Sequence, residues 1–372
     1  MDPSKVMPYI ELPDTLSIPW FQSRTKLSQL SFEDAYISAN GGFLMEVDFS
    51  GNADVSLDRN MELPPLIGFP ESVKEDALAL FEHAVECEKQ GDFDETLGAR
   101  VSYDNRWYRV QKMPASDGVW YNFRWVRPPP LFSDILGISP TLKKTLRYLA
   151  SNGRGSLENS PVRNGLLLVS GVTGVGKTTF MASFTEDCLT AVGGVGVTLD
   201  RPVEVPLRCV YGRNNGGRLF QHDVAAFSSL SIASQAAMRM HPWLISIGEI
   251  RSREEAIMAI EASINGHFVI AGIHSGSCVD ALNKLAYLTG DPKSAFFNMA
   301  TGMTGVTNQK MLRGVMHKQI EMKSLFFDNA LGPRDMLRQG KTHLLSTPIE
   351  QQSEAMKRGE IPVYKKIESN AG

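Results

Sequence analysis

Two rhythms of apolar and polar positions divide this chain. In its first third, "GGFLMEVDF", "RWYRVQKM" and "VWYNFRWV" gather β-branched and aromatic residues into short runs, which predicts strands. "ESVKEDALALFEHAVECEKQG", Glu71 to Gly91, places its apolar residues at helical spacing and stops at a glycine, which predicts a helix against those strands. Residues 1–126 therefore read as an α+β domain. "VRPPPLFSDILG", Val126 to Gly137, comes next. Three consecutive prolines continue neither strand nor helix, so residues 127–140 read as a stiff linker and 141–372 as a second domain.

Beyond the prolines the rhythm becomes regular. "GLLLVS", "GVGVTLD", "WLISIGE" and "HFVIAGIH" are short apolar strands. "KTTFMASFTEDCLTAV", "SIASQAAMRM", "SREEAIMAIEASING" and "VDALNKLAYLTG" are helices lying between and after them. Strands alternating with helices predict an α/β fold, a parallel sheet wound by crossovers.

Composition narrows the picture only slightly. A net charge of -3 argues against nucleic acid as the main partner, because phosphate binding leaves a basic footprint. Cys87, Cys188, Cys209 and Cys278 form no C-x-x-C pair, so they read as reduced thiols rather than zinc ligands. The opening "MDPSKVMPYIELPD" lacks the basic and apolar regions of a signal peptide, and no run approaches the ~20 apolar residues of a membrane span. A cytoplasmic protein is expected.

The chemistry concentrates in "GLLLVSGVTGVGKTTF". Gly171-Val172-Thr173-Gly174-Val175-Gly176-Lys177-Thr178 fits G-x-x-x-x-G-K-[ST], with Thr179 following. Glycines let successive N–H groups turn inward around a phosphate, and the next helix offers its N-terminus to the same anion. Lys177 then reaches the β- and γ-phosphates and the Thr178 hydroxyl coordinates Mg²⁺. The bland alternative is a glycine turn between two core elements. The apolar strand before and the helix after supply the context that a nucleotide site requires.

Hydrolysis needs carboxylates. Asp200 and Glu204 flank Pro202 at the end of one strand, and Glu249 ends another. The carboxyl ends of strands face the ligand crevice in open α/β sheets. An acid there can orient a metal-bound water or accept its proton; the alternative is a helix cap or surface acid at a strand exit. His267 and His274 bracket one strand, about 23 Å apart at ~3.3 Å per residue, too far to share an ion. Each reads as a satisfied histidine, or as a sensor of the γ-phosphate by hydrogen bonding.

With these residues placed, the chain resembles the secretion and pilus motor ATPases, which include PilT-like retraction motors and DotB-like type IV secretion ATPases. "GVTGVGKTT" is similar to their Walker A motif, "TLDRPVEVP" to their Asp box T-x-E-D-P-[IV]-E, "LISIGEIRS" to their Walker B block G-E-[IM]-R-D, and "NGHFVIAGIHSGS" to their His box. Outside residues 165–277 the match is looser. "EDAYISANGGFLMEVDF", "RWYRVQKM" and "FRWV" resemble the first-domain strands, and "NQKMLRGVMHKQIEMKSLFF" resembles the S-Q-x-L helix and the strand after it.

The resemblance implies a RecA-like P-loop core behind a PAS-like N-terminal domain. It implies ATP with Mg²⁺, Glu204 as general base, and Glu249 as the Walker B acid that helps hold the metal with Thr178. It implies His267 and His274 as His-box residues, with His274 the sensor. It also implies Arg109, Arg124 and Arg239 as arginines that reach nucleotide across subunits. The chain departs from the pattern at Arg201, where the Asp box has Asp, and at Ser252, where Asp follows G-E-I-R. Ser246 and Gly248 also leave no Asp before Glu249. A slow or partner-activated ATPase fits these losses.

Sites shared between subunits need a closed ring. The resemblance implies a homo-hexamer at the cytoplasmic face of the inner membrane, with the prolines as hinge and a membrane platform or secretion channel as partner. The four-cysteine insert of pilus-assembly motors is missing, which favours pilus retraction or type IV secretion, and the degenerate Asp box favours secretion or conjugation. Two rivals stand beside this reading: a nucleic-acid translocase and a nucleotide-binding scaffold without turnover.

Overall fold

The computed structural model describes residues 24–30, 32–38, 40–47, 67–91, 93, 98–150, 164–212, 216–313, 318–327 and 331–360. The chain separates into two compact units at Arg127/Pro128.

The first unit is an antiparallel sheet backed by one helix. Strands β1 (Phe32–Ser38), β2 (Phe43–Val47), β3 (Ile67–Gly68), β4 (Ala99–Tyr103), β5 (Arg106–Ala115) and β6 (Gly118–Val126) stand in the order β3-β2-β1-β6-β5-β4. Helix α1 (Glu71–Lys89) buries Val73, Ala77, Leu80, Phe81 and Ala84. Its core partners Ala35, Val101, Val110, Tyr121 and Phe123 come from one face of the sheet. Strand alternation sends the intervening residues to the other face. There the register aligns Arg100, Arg109, Arg124, Asp34 and Glu46 in one row across five strands.

The second unit opens with α2 (Pro140–Ala150), β7 (Gly165–Gly171), α3 (Lys177–Val192) and β8 (Gly194–Asp200). Then follow β9 (Val210–Tyr211), β10 (Gly217–Asp223), α4 (Leu230–Arg239), β11 (Leu244–Ile247), α5 (Arg253–Ile264) and β12 (Phe268–His274). It closes with α6 (Cys278–Leu288), α7 (Pro292–Gly302), β13 (Met303–Arg313), β14 (Lys318–Phe326), α8 (Leu331–Arg338) and α9 (Ser346–Lys357). The sheet order is β14-β13-β7-β12-β11-β8-β10-β9. The inner strands are parallel, and β14 and β9 pair antiparallel at the two edges.

Both faces of this sheet are covered, which explains why β7 is buried throughout and its apolar run, residues 166–169, does not alternate. Leu166 and Leu168 pack with Ala259, Leu282 and Met299 of α5, α6 and α7. Leu167 and Val169 pack with Leu146, Phe180 and Phe184 of α2 and α3. Because the inner strands share one direction, Gly171, Asp200, Ile247 and His274 end on the same edge.

Two expectations need correction. Most of residues 127–140, expected as a stiff linker, belongs to the second unit: Phe132, Ile135 and Ile138 are buried in its core beside α2 and α3. Apolar side chains at these positions outweigh the local stiffness of the prolines. The segment expected as the S-Q-x-L helix is instead strand β13, hydrogen-bonded to β7 on one side and to β14 on the other. Two ladders fix its conformation, and its buried Asn308 and Gln309 bond to Ser170, Ser275 and Val175.

Candidate functional site

The phosphate-loop sequence turns as its glycines require. Gly176 caps α3 in the left-handed region, φ 82°, where a side chain is strained. Gly171 leaves no room for a Cβ, which would lie 2.6 Å from the Gln309 carbonyl oxygen. The Gln309 amide of β13 donates to the Val175 carbonyl, bracing the loop from the neighbouring strand. Val175 is buried, while Val172, Thr173 and Gly174 are exposed at the tip, as is Thr179, the third residue of the helix.

Lys177 donates its ammonium to the carbonyls of Gly171 at 2.8 Å and Val172 at 2.9 Å. Burial pulls its pKa below the ordinary lysine value, while the Glu249 and Glu204 carboxylates act in the opposite direction. The Thr178 hydroxyl donates to Glu204 Oε2 at 3.2 Å. Residues 26 positions apart thus meet at the first turn of α3. Thr178, Asp200, Arg201, Glu204, Glu249 and Arg251 all line one cleft at the carboxyl edge of the sheet.

Glu249 is half-buried and held by Arg251, whose Nε and Nη2 donate to the same oxygen at 3.0 and 2.7 Å. Asp200 accepts from the Thr198 hydroxyl at 2.7 Å and from the Gln221 amide at 3.2 Å. Burial lifts the Asp200 carboxyl to about 6, and Glu204 and Asp223 add to the rise.

The departures from the resembled pattern have local explanations. Ser252 caps α5: its hydroxyl accepts from the Glu255 N–H at 3.3 Å, and the Glu255 carboxylate accepts in turn from the Ser252 N–H at 2.8 Å. Serine and aspartate cap helices about equally well, so the cap survives the exchange. Gly248 is crowded, since a Cβ there would come 3.0 Å from Asp200 Oδ1. Arg201 is exposed on the cleft wall.

The remaining candidates divide. His274 is exposed and pairs in register with Gly171, so it stands beside the loop. His267 does not join it: it precedes the other end of β12, where its Nδ1 lies 2.6 Å from the Pro242 carbonyl. Arg239 is exposed in the last turn of α4, while Leu230 at the first turn lines the cleft. Within the first unit, Arg124 donates to Asp34 at 2.7 Å and 3.1 Å and faces Arg109 in register. Arg251, Gln221 and Gln309 were missed by sequence reasoning. Arg251 and Gln309 had a signal, their places inside the quoted G-E-I-R block and the quoted "NQKM" stretch; Gln221 had none.

A parallel sheet whose glycine loop feeds a helix N-terminus, with carboxylates at neighbouring strand ends, defines an α/β nucleotide-binding fold. Residues 85–358 match the type II/IV secretion system protein family, and the chain belongs to that family. The type II secretion system protein HxcR of Pseudomonas aeruginosa is 32% identical over 150 residues, 40% of this chain and 29% of HxcR. The chain thus spans less than a third of that relative's length. The crystal structure of the pilus retraction motor PilT with bound ADP aligns over 90% of this chain and 91% of PilT, with a TM-score of 0.62 at 18% identity. The Legionella pneumophila ATPase DotB aligns over 91% of this chain and 92% of DotB, with a TM-score of 0.60 at 16% identity. At these identities the likeness is one of fold. Among the described residues, no helix is long and apolar enough to cross a membrane.

Proposed function

We propose that the chain is a motor ATPase that couples ATP hydrolysis to type IV secretion, conjugative transfer or pilus retraction. The observation that carries this reading is the Thr178–Glu204 hydrogen bond at the mouth of the loop. It sets a carboxylate beside the helix N-terminus where a γ-phosphate and an attacking water meet. Lys177 neutralises phosphate charge, Glu204 takes the proton from water, and Glu249 orients the water once phosphate draws Arg251 away. His274 senses the γ-phosphate from the neighbouring strand end. Thr178 and Glu249 would offer hard oxygen donors of the kind that suits Mg²⁺. When bound, the ion spreads the charge that develops on the phosphoryl group.

On this reading the chain works as a homo-hexamer at the inner face of the membrane, acting on a platform or channel protein, with Arg109, Arg124 and Arg239 completing sites across subunits. A second reading, a nucleotide-binding scaffold without turnover, draws on the Arg251–Glu249 ion pair, which occupies one of the two acids. Glu204→Gln separates the two. The motor reading expects phosphate release to fall ~10²–10⁴-fold while a fluorescent ATP analogue still binds. Unchanged release in this variant refutes it.

A further inference from the structure

Glu204 sits in a stretch with no regular structure of its own. Residues 201–209 run between the end of β8 at Asp200 and the start of β9 at Val210 without a helix or strand. A backbone bond from the Leu219 N–H to the Cys209 carbonyl at 2.9 Å holds its far end, and side chains from neighbouring elements hold the stretch around Glu204. Glu186 holds Arg208 at that far end, and Gln221 holds the residues nearer Glu204. Gln221, half-buried on β10, lies outside all four motif blocks. Its amide nitrogen donates to the Val205 carbonyl at 2.8 Å and to Asp200 Oδ2 at 3.2 Å. Its amide oxygen accepts from the Leu207 N–H at 3.2 Å. A single side chain therefore ties Asp200, on one side of Glu204, to Val205 and Leu207 on the other. Two residues along β10, Asp223 accepts from the Val203 N–H at 3.4 Å, a longer bond on the near side.

We propose that Gln221 is a positioning residue for Glu204, fixing the loop so that the carboxylate stays on the Thr178 hydroxyl. This rests on the reading of Glu204 as the base of an ATPase. The amide is the side chain the task needs, because it supplies donor and acceptor together. A carboxylate of the same shape keeps the acceptor for Leu207 but loses both donors and meets Asp200 as a like charge. Alanine loses all three bonds. Neither change touches Lys177 or the glycine loop, so nucleotide binding is spared. A displacement of about 1 Å at a reacting group costs up to ~10²-fold in rate, which sets the scale of the effect.

The test uses the full chain, with steady-state phosphate release, affinity for a fluorescent ATP analogue and the thermal midpoint measured for Gln221→Ala and Gln221→Glu. Expected is a fall in kcat of ~10–100-fold in both variants, with nucleotide affinity within about twofold of the parent. The double variant Gln221→Ala/Glu204→Gln should release phosphate no more slowly than Glu204→Gln alone, because a residue acting through Glu204 has nothing left to position. Parent-like kcat in Gln221→Ala overturns the proposal. So does a loss that repeats in full in the Glu204→Gln background, or one that falls on affinity rather than kcat. A parent chain that hydrolyses no ATP overturns the reading of the site itself, and the role of Gln221 with it. An active parent beside an equally active Gln221→Ala overturns the role alone.

Discussion

Glu186 gives the sharpest test of how the segment bearing Glu204 is fastened to the helix bearing Lys177. It projects from α3, and its Oε1 accepts the Tyr211 hydroxyl at 2.8 Å and the Arg208 N–H at 3.2 Å. Its Oε2 lies 3.4 Å from Arg208 Nη2. These contacts differ in weight. The Arg208 side chain is 62% exposed, so its ion pair is screened and contributes ~0–1 kcal/mol. Tyr211 is 2% exposed, and a hydrogen bond to a charged partner there contributes about 1.5–3 kcal/mol. Burial and the carboxylate both push the Tyr211 hydroxyl above its usual pKa, so it remains a donor at neutral pH.

Glu186→Ala leaves that hydroxyl buried without its acceptor, a loss of about 2–3 kcal/mol. At ~2–4 °C per kcal/mol for a unit of this size, the second unit's transition should fall by ~4–12 °C in scanning calorimetry. The drop should change little with added salt, since the buried bond dominates. Glu186→Gln keeps an acceptor and should lose less. On a Tyr211→Phe background, Glu186→Ala should cost about 1.5–3 kcal/mol less than on the parent, because the shared bond is already gone. A midpoint unchanged in Glu186→Ala, or full additivity with Tyr211→Phe, refutes the reasoning.

Ser252→Ala should lower stability by ~1 kcal/mol through the lost α5 cap, whereas Ser252→Asp should be nearly neutral; chemical denaturation of the three proteins decides it. Asp200 carries a pH dependence. Its folded carboxyl titrates at about 6, above the unfolded value, so the folded chain keeps a proton that the unfolded chain has lost. That contribution is complete below about pH 4, declines as pH rises, and is gone above about pH 6. The midpoint of the parent relative to Asp200→Asn, which cannot ionise, should therefore fall between pH 4 and pH 7. Parallel pH curves for the two proteins contradict this assignment.

Local pattern alone carried much of the second unit. The alternation of strand and helix placed α3 at Lys177–Val192 and β8 at Gly194–Asp200, because burial on both sheet faces and helical periodicity are written in neighbouring residues. The phosphate loop was legible for the same reason: its glycines, lysine and threonine are contiguous. β13 was not legible, since the two ladders that hold it come from β7 and β14, and pairing between distant segments leaves little local trace. The prolines announced a boundary but concealed that Phe132, Ile135 and Ile138 belong to a core.

The site divides along the same line. Sequence determined which side chains have the chemistry, because acid, lysine and hydroxyl are properties of residues. Only the tertiary structure decided which of them meet. Parallel strands bring their carboxyl ends to one edge, so Thr178 reaches Glu204 and His274 stands beside Gly171, while His267, seven residues earlier, falls at the opposite end of its strand. The placing of Gln221 depends on β10 lying beside β8, a neighbourhood set by sheet order rather than by any run of residues.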